Sequence, residues 1–310
     1  MKWIKQGHIY TSPGTQPYSK SHAQVPFAFK TDEDRLRIFF ATRDERSRSS
    51  VGYIDVNPAQ PSQILGEYTQ PCFQHGASGY FDDSGTMPSW FLEVDGALWL
   101  YYTAWNRSQE ASYRLSIGLA VSHDLGKTFE RMFQGPILDR GPYDPIWVGQ
   151  PCVIRERNRW KMWYLSCQKI EYINNHPEPF YNVKYAESED GIHWHRTEDV
   201  CIDFSETVDA IGRPCVWQED GKYYMLHSNR QALGYRDNPE HSYRIQASSS
   251  TDGIRWSPVT DFYGLERSNE GWDSVMNEYC TTYVHEGTRY LIYNGNGFGA
   301  SGFGYAVLEK

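Results

Sequence analysis

Runs in which polar and apolar residues alternate, rich in aromatic and β-branched types, recur along the whole chain. They are separated by turn dipeptides such as Asp95-Gly96, Asp220-Gly221 and Glu286-Gly287. Such alternation is the pattern of half-buried β-strands, and no stretch carries a helical period of comparable extent. The runs also repeat at a fixed distance. Pro26, Pro88, Pro151 and Pro214 lie 62, 63 and 63 residues apart, each early in an apolar run. Each is followed by an aromatic run, ending at FFATR (Arg43), YYTAW (Trp105), WYLSC (Cys167) and MLHSNR (Arg230). A fifth copy begins near Tyr279, where the proline is absent, and its second run ends at IYNGN (Asn296).

A unit of four short strands cannot bury both faces alone and must stack on copies of itself, so a repeat of this kind predicts a β-propeller blade. Five copies fill the chain. The expected fold is all-β, one five-bladed β-propeller domain over residues 1–310, with blades at about 23–68, 86–133, 148–200, 212–262 and 274–308. The aligned prolines belong on the innermost strands. The N-terminal segment is expected to supply the outer strand of the last blade, which removes an open sheet edge.

A second repeat follows the third strand of three blades: SHDLGKTF (Ser122 to Phe129), SEDGIHW (Ser188 to Trp194) and STDGIRW (Ser250 to Trp256). The first fits the Asp-box hairpin pattern and the other two are one residue shorter. In this motif the Asp and Gly build the turn and the aromatic packs back under it. Asp124, Asp190 and Asp252 are therefore read as structural.

Composition narrows the function classes. The net charge of −9 leaves no basic footprint for nucleic acid. The N-terminus has no apolar leader and no later run is long enough to span a bilayer, so a cytoplasmic protein without a membrane span is expected. The six cysteines lack metal-ligand spacing; no metal or other cofactor is expected, and Cys152, Cys215 and Cys280 read as core thiols in one register. Aromatics reach 15%, with 11 Trp and 23 Tyr. Most suit packing between blades, and the same rings can serve as platforms for sugars.

In a propeller the first strand of each blade lines the channel, and a ligand enters where first strands begin and second strands end. Counting back from the aligned starts places an acid or a histidine there in every blade: His22, Asp82 and Asp83, Asp144, Asp209 and Asp273. Glu278 directly precedes the start of the fifth. Such acids suit general acid and base chemistry, although Asp also favours the turns that precede strands. The second strands bring Arg43, Trp105, Arg230 and Asn296 to the same mouth, and Arg213 precedes an aligned proline. A guanidinium there needs an anionic substrate or a local carboxylate, such as Asp44 for Arg43 or Asp209 for Arg213.

The stretches SHAQVP (Ser21 to Pro26), FDDSGTMPS (Phe81 to Ser89), LYYTAW (Leu100 to Trp105), IGLAVSHDLGKTF (Ile117 to Phe129), KMWYLS (Lys161 to Ser166), KYAESEDGIHW (Lys184 to Trp194), GRP (Gly212 to Pro214), WDS (Trp272 to Ser274) and YNGNGFGASGFGYA (Tyr293 to Ala306) cover all five blades. With them the chain resembles the five-bladed superfamily of glycoside hydrolases and mannoside phosphorylases, and more closely a bacterial group of glycosidase-like proteins found with surface-polysaccharide genes. The resemblance implies an Asp of the first blade as base or nucleophile, a second Asp that tunes pKa, and a Glu as acid. This chain has His22 where the first blade would offer Asp, so the roles do not carry over position by position.

The expected function is cleavage or transfer of a glycosyl group at the mouth, on a carbohydrate or a sugar phosphate or nucleotide-linked sugar. Catalysis would fall to Asp83, Asp273, Asp209 and Glu278, with Asp83 and Asp273 as the leading pair. Substrate would be held by His22, Arg43, Trp105, Arg213, Arg230 and Asn296. An inverting mechanism is favoured, because carboxyls on different blades can hold the roughly 6.5 to 9.5 Å it requires. The alternative is a propeller that binds glycan or protein without turnover. A sialidase-like enzyme, suggested by the Asp-box alone, normally has six blades.

Overall fold

The computed structural model describes residues 1–157 and 159–309. Its first strand, β1 (Lys2–Tyr10), is paired last. Then come β2 (Ser21–Asp32), β3 (Arg35–Arg43), β4 (Ser49–Val56) and β5 (Ile64–Glu67), an antiparallel group. The second group is β6 (Gly85–Val94), β7 (Ala97–Arg107), β8 (Tyr113–Ser122) and β9 (Glu130–Arg131). The third is β10 (Trp147–Glu156), β11 (Arg159–Ile173), β12 (His176–Ser188) and β13 (His195–Ile202). The fourth is β14 (Ala210–Glu219), β15 (Lys222–Arg230), β16 (Arg244–Ser250) and β17 (Ser257–Pro258). The fifth is β18 (Glu278–His285), β19 (Thr288–Asn294) and β20 (Phe303–Glu309), completed by β1, which runs antiparallel to β20. One short helical turn, α1 (Asn296–Gly299), lies between β19 and β20. No helix among the described residues is long and apolar enough to cross a membrane.

The first strands of the groups pack side by side in the order β2, β6, β10, β14, β18, and β18 lies against β2. Each carries a break in register near the aligned proline. In four of them the residue just before that position is left-handed: Val25 (φ 49), Gln150 (φ 47), Arg213 (φ 47) and Tyr279 (φ 50). An extra residue in one strand leaves its N–H outside the ladder, and a buried N–H needs another acceptor. The neighbouring groups supply it. Val25 N donates to Asn294 Oδ1 at 2.7 Å, Gln150 N to Thr103 Oγ1 at 2.7 Å, Arg213 N to Gln150 Oε1 at 2.7 Å and Tyr279 N to Ser228 Oγ at 3.0 Å. Proline follows three of these bulges because its missing N–H leaves no further donor unpaired.

Cys280 occupies the place of the proline in β18, one residue ahead of the place held by Cys152 and Cys215 in their strands. The expected three-cysteine register is thus a two-cysteine one. All six cysteines are buried and free. The three Asp-box turns close as expected: the hydroxyls of Ser122, Ser188 and Ser250 donate to Asp124, Asp190 and Asp252, which accept backbone N–H groups of the turn.

Two side chains fill the space among the first strands. Trp90 packs against four of the hydrophobic clusters. Arg213, 1% exposed, reaches from β14 to the carbonyl oxygens of Val25 (3.3 Å), Pro26 (3.1 Å) and Pro88 (3.1 Å).

Candidate functional site

The starts of the first strands and the ends of the second strands meet at one end of the molecule. Asp209 N donates to Arg230 O at 2.9 Å, Ser84 N to Trp105 O at 3.2 Å and Lys20 N to Arg43 O at 2.7 Å. Glu278 pairs across the strand with Asn294. The hairpin between β11 and β12 runs beyond this level, and Tyr172 near its tip donates to Glu110 O. The 231–243 loop is tied to this hairpin by the ion pair of Arg236 with Glu178.

Three of the sequence-derived acids have a shared fate that differs from expectation. Asp82, Asp144 and Asp273 are each buried, and each accepts a hydrogen bond from a tyrosine of the second strand of its own group: Tyr102 at 3.2 Å, Tyr164 at 3.2 Å and Tyr293 at 3.0 Å. Each is also paired with a cation of the outer strand: Arg131 at 2.6 Å, Arg196 at 2.9 Å and Lys5 at 2.6 Å. That cation stands opposite an alanine of the third strand every time, Ala120, Ala186 and Ala306. The repeat makes this Asp–Tyr–cation clasp a device of the fold, tying the loop before the first strand to the outer strand. Asp273, half of the leading catalytic pair by sequence, is engaged in it.

Other expected residues also have partners within the fold. Arg213 is not paired with Asp209; its guanidinium binds carbonyls between the first strands, and burial holds its pKa down to about 10. Asn296 takes the N–H groups of Val275 and Met276 and donates to Gly271 O, which pins the 271–276 loop. Trp105 donates to Ser49 Oγ at 2.8 Å over Gly85, where a Cβ would lie 2.1 Å from the indole nitrogen. Asp83 accepts from Gly79 N and Ser84 Oγ inside its own loop, and Asp209 accepts from Ala232 N at 2.7 Å.

The remaining residues come together. Glu278 is fully buried, and neither carboxyl oxygen has a hydrogen-bond partner of regular geometry among the described residues, with the Tyr279 phenol close by as a weak donor. Burial pushes its pKa well above the usual carboxylate range, and the nearby Tyr279 and Arg230 offset this only in part. A carboxyl so placed is held in its protonated form. Arg230 donates to Tyr243 Oη at 3.2 Å and to the carbonyls of Gln231 and Pro179 at 3.0 Å, with its guanidinium 3.9 Å from the centre of the Tyr235 ring. Tyr243 packs on Tyr279 and Phe298, and its hydroxyl meets that of Tyr181.

On the far side of Tyr279 lie Arg43 and His22. Arg43 donates from Nε to Gln24 Oε1 at 3.0 Å, and Gln24 donates to Phe298 O at 2.7 Å. Asp44 is paired with Arg48 instead of Arg43. Burial lowers the Arg43 pKa, with the Tyr279 phenol acting against it. Burial and then Arg43 lower His22 to about 4, so its ring is neutral at physiological pH. Sequence reasoning missed Tyr181, Tyr235, Tyr243 and Gln24. Tyr235 and Tyr243 belong to the long aperiodic loop after Arg230, whose length was the only signal. Among the described residues no group of three or more His, Cys, Asp or Glu is placed to hold a metal ion.

Comparison with known proteins extends the picture. No protein-family model matches the chain. Two curated proteins of Mycobacterium tuberculosis, uncharacterized protein MT1551 and uncharacterized protein Rv1502, are each 34% identical over 311 residues, covering all of both chains. Among solved structures, a glycosyl hydrolase from Bacteroides ovatus aligns with a TM-score of 0.73 at 15% identity, over 99% of this chain and 93% of that one. A structure from the GH130 family of mannoside phosphorylases, which contains glycoside hydrolases that target beta-1,2 mannosidic linkages in Candida mannan, aligns with a TM-score of 0.72 at 14% identity, over 99% and 93%. The fold is thus glycosidase-like.

Proposed function

The chain belongs to the family of the two Mycobacterium tuberculosis proteins along its full length, and from that premise we propose that it is a carbohydrate-active enzyme built as a single five-bladed β-propeller. The five antiparallel groups and the ring of first strands support the blade count. The activity we assign is cleavage or transfer of a glycosyl group at the mouth.

One observation carries the reading: Glu278 is buried with no regular hydrogen bond to either oxygen among the described residues, beside Tyr279, Tyr243 and Arg230. An unpartnered buried carboxyl costs stability, and a raised pKa is what a proton donor to a glycosidic oxygen needs. Glu278 is the proposed acid. Asp209 and Asp83, in the loops that open the mouth, are the candidates for the second carboxylate, which would activate water or orient phosphate. Arg43, whose terminal nitrogens meet no carboxylate, would take the anionic group of a sugar phosphate or nucleotide-linked sugar. Asp273 has a role in the clasp and is left out of this assignment.

The test is turnover of para-nitrophenyl glycosides, sugar phosphates and nucleotide sugars, with and without inorganic phosphate, by the wild type and Glu278→Gln. The reading expects turnover that falls by orders of magnitude in the variant. Equal turnover in both would overturn it. Glycan binding without turnover is the second reading, favoured by the engagement of Asp273 and by the full burial of Glu278.

A further inference from the structure

Blades one and four lack the clasp; in blade one Ser19, Phe40, Ile54 and Glu67 stand in the places of acid, tyrosine, alanine and cation, and blade four differs again. The turn that carries Asp144 in blade three is closed by a Gly141–Asp144 bridge; the matching turn of blade four is closed by Ser205 and Val208, so an apolar residue replaces the acid. The second-strand tyrosine is replaced by His227, which meets Asn229 Oδ1 at 2.7 Å and Ser248 Oγ at 3.0 Å. The alanine opposite the cation becomes Ser248, and the cation itself becomes Pro258. All members of the clasp have changed together.

The space so vacated is open. A cleft of about 820 Å³ runs over the outer edge of blade four, and Val208, His227, Ser248 and Pro258 all line it. The outer strand there, β17, pairs only with the later part of β16, and Arg244, Ile245 and Gln246 at the start of β16 line the cleft. Ser242 and Trp3 also line the cleft, and each is buried with a polar side-chain atom that has no hydrogen-bond partner. Trp256 contributes an aromatic surface.

We propose that this cleft is a second binding site, distinct from the mouth although Arg230 borders both, and that its ligand is an uncharged saccharide. The groups that took the places of acid and cation are neutral. Burial lowers the His227 pKa to about 4, so its ring, held by Asn229 and Ser248, brings no charge to the cleft at physiological pH. Of the charged residues that line it, Glu240 pairs with Arg267, Arg244 and Arg230 donate to backbone carbonyls, Asp203 accepts from Asn182, and Glu266 lies at the edge of the cleft. Hydroxyl and amide groups beside an indole match the alternating hydroxyl edges and apolar faces of a pyranose, whereas an anionic ligand would lose its hydration without gaining a counter-charge.

The experiment is calorimetric titration of short neutral hexose oligosaccharides into the wild type, Glu278→Gln, Asn229→Ala and Gln246→Ala. Saturable binding is expected in the wild type and in Glu278→Gln. Loss of one good hydrogen bond should weaken it about tenfold in the two alanine variants. A triple variant that rebuilds the clasp (Val208→Asp, His227→Tyr, Pro258→Arg) should bind none of them; should it fail to fold, the alanine variants decide. No saturable binding in the wild type overturns the proposal. So does binding that is abolished in Glu278→Gln and unaltered in the alanine variants, which would assign the ligand to the mouth.

Discussion

Arg213 donates from Nη1 to the carbonyl oxygen of Pro88 at 3.1 Å, so a side chain of the fourth repeat is bound to the first strand of the second. Two more carbonyls, of Val25 and Pro26, take the same guanidinium. Contacts of this kind between strands far apart in sequence hold the ring together at its centre. Arg213→Met keeps much of the volume but strands three buried acceptors. A loss of about 3 kcal/mol or more is expected, since bonds to charged groups contribute roughly 1.5 to 3 kcal/mol each. Chemical denaturation reads it directly. A variant as stable as the wild type would show that water replaces the guanidinium.

The clasp makes a different prediction for Asp273 than a catalytic role would. A merely catalytic aspartate can become asparagine with little change in melting temperature. Asp273→Asn should instead destabilise by about 2 kcal/mol, because it leaves Lys5 facing a neutral group in a half-buried pair. Asp144→Asn should do the same through Arg196. In a double-mutant cycle with Lys5→Met, the two single losses should not add. Additive losses would mean that Lys5 and Asp273 do not act as a unit.

How far the sequence foretold this depends on the kind of information each residue carries. The prolines marked the first strands because a bulged strand tolerates a missing N–H at that point, and this is local chemistry. The loop acids were also found, but their offsets from the prolines are set equally by a catalytic mouth and by a clasp. The distinction lies in the partners Lys5, Arg131 and Arg196, which are remote in sequence. Arg43 and Asp44 are chain neighbours and read as an ion pair, yet Asp44 turns to Arg48 and Arg43 to Gln24. The burial of Glu278 was invisible for the same reason, since Arg230 and Tyr243, which stand beside it, are remote in sequence.

Arg43 offers a test that needs no substrate. Its terminal nitrogens meet no carboxylate, and it stands beside a neutral His22. Inorganic phosphate or sulfate should raise the melting temperature of the wild type above the effect of chloride at equal ionic strength. Arg43→Gln should lose this increment, and Arg213→Met should keep it, because Arg213 is sealed among the first strands. An equal increment in Arg43→Gln would move the anion elsewhere.

Glu278 gives the prediction whose sign follows from its environment alone. Its folded pKa lies well above the ordinary carboxylate value, so the folded protein keeps a proton that the unfolded chain releases as pH rises past about 4.3. From there upward the unfolded state binds fewer protons, and stability falls until pH reaches the folded pKa. Glutamine cannot ionise, so Glu278→Gln escapes this loss. The variant should match the wild type near pH 4 and exceed it by a margin that widens as pH rises to 8. His22 and His227, both lowered to about 4, act in the opposite direction below pH 6.5. They are present in both proteins and cancel in the difference. Denaturation midpoints across pH 4 to 8 make the comparison. Parallel curves would mean that Glu278 is ionised in the fold at neutral pH, and its assignment as the proton donor would fall with them.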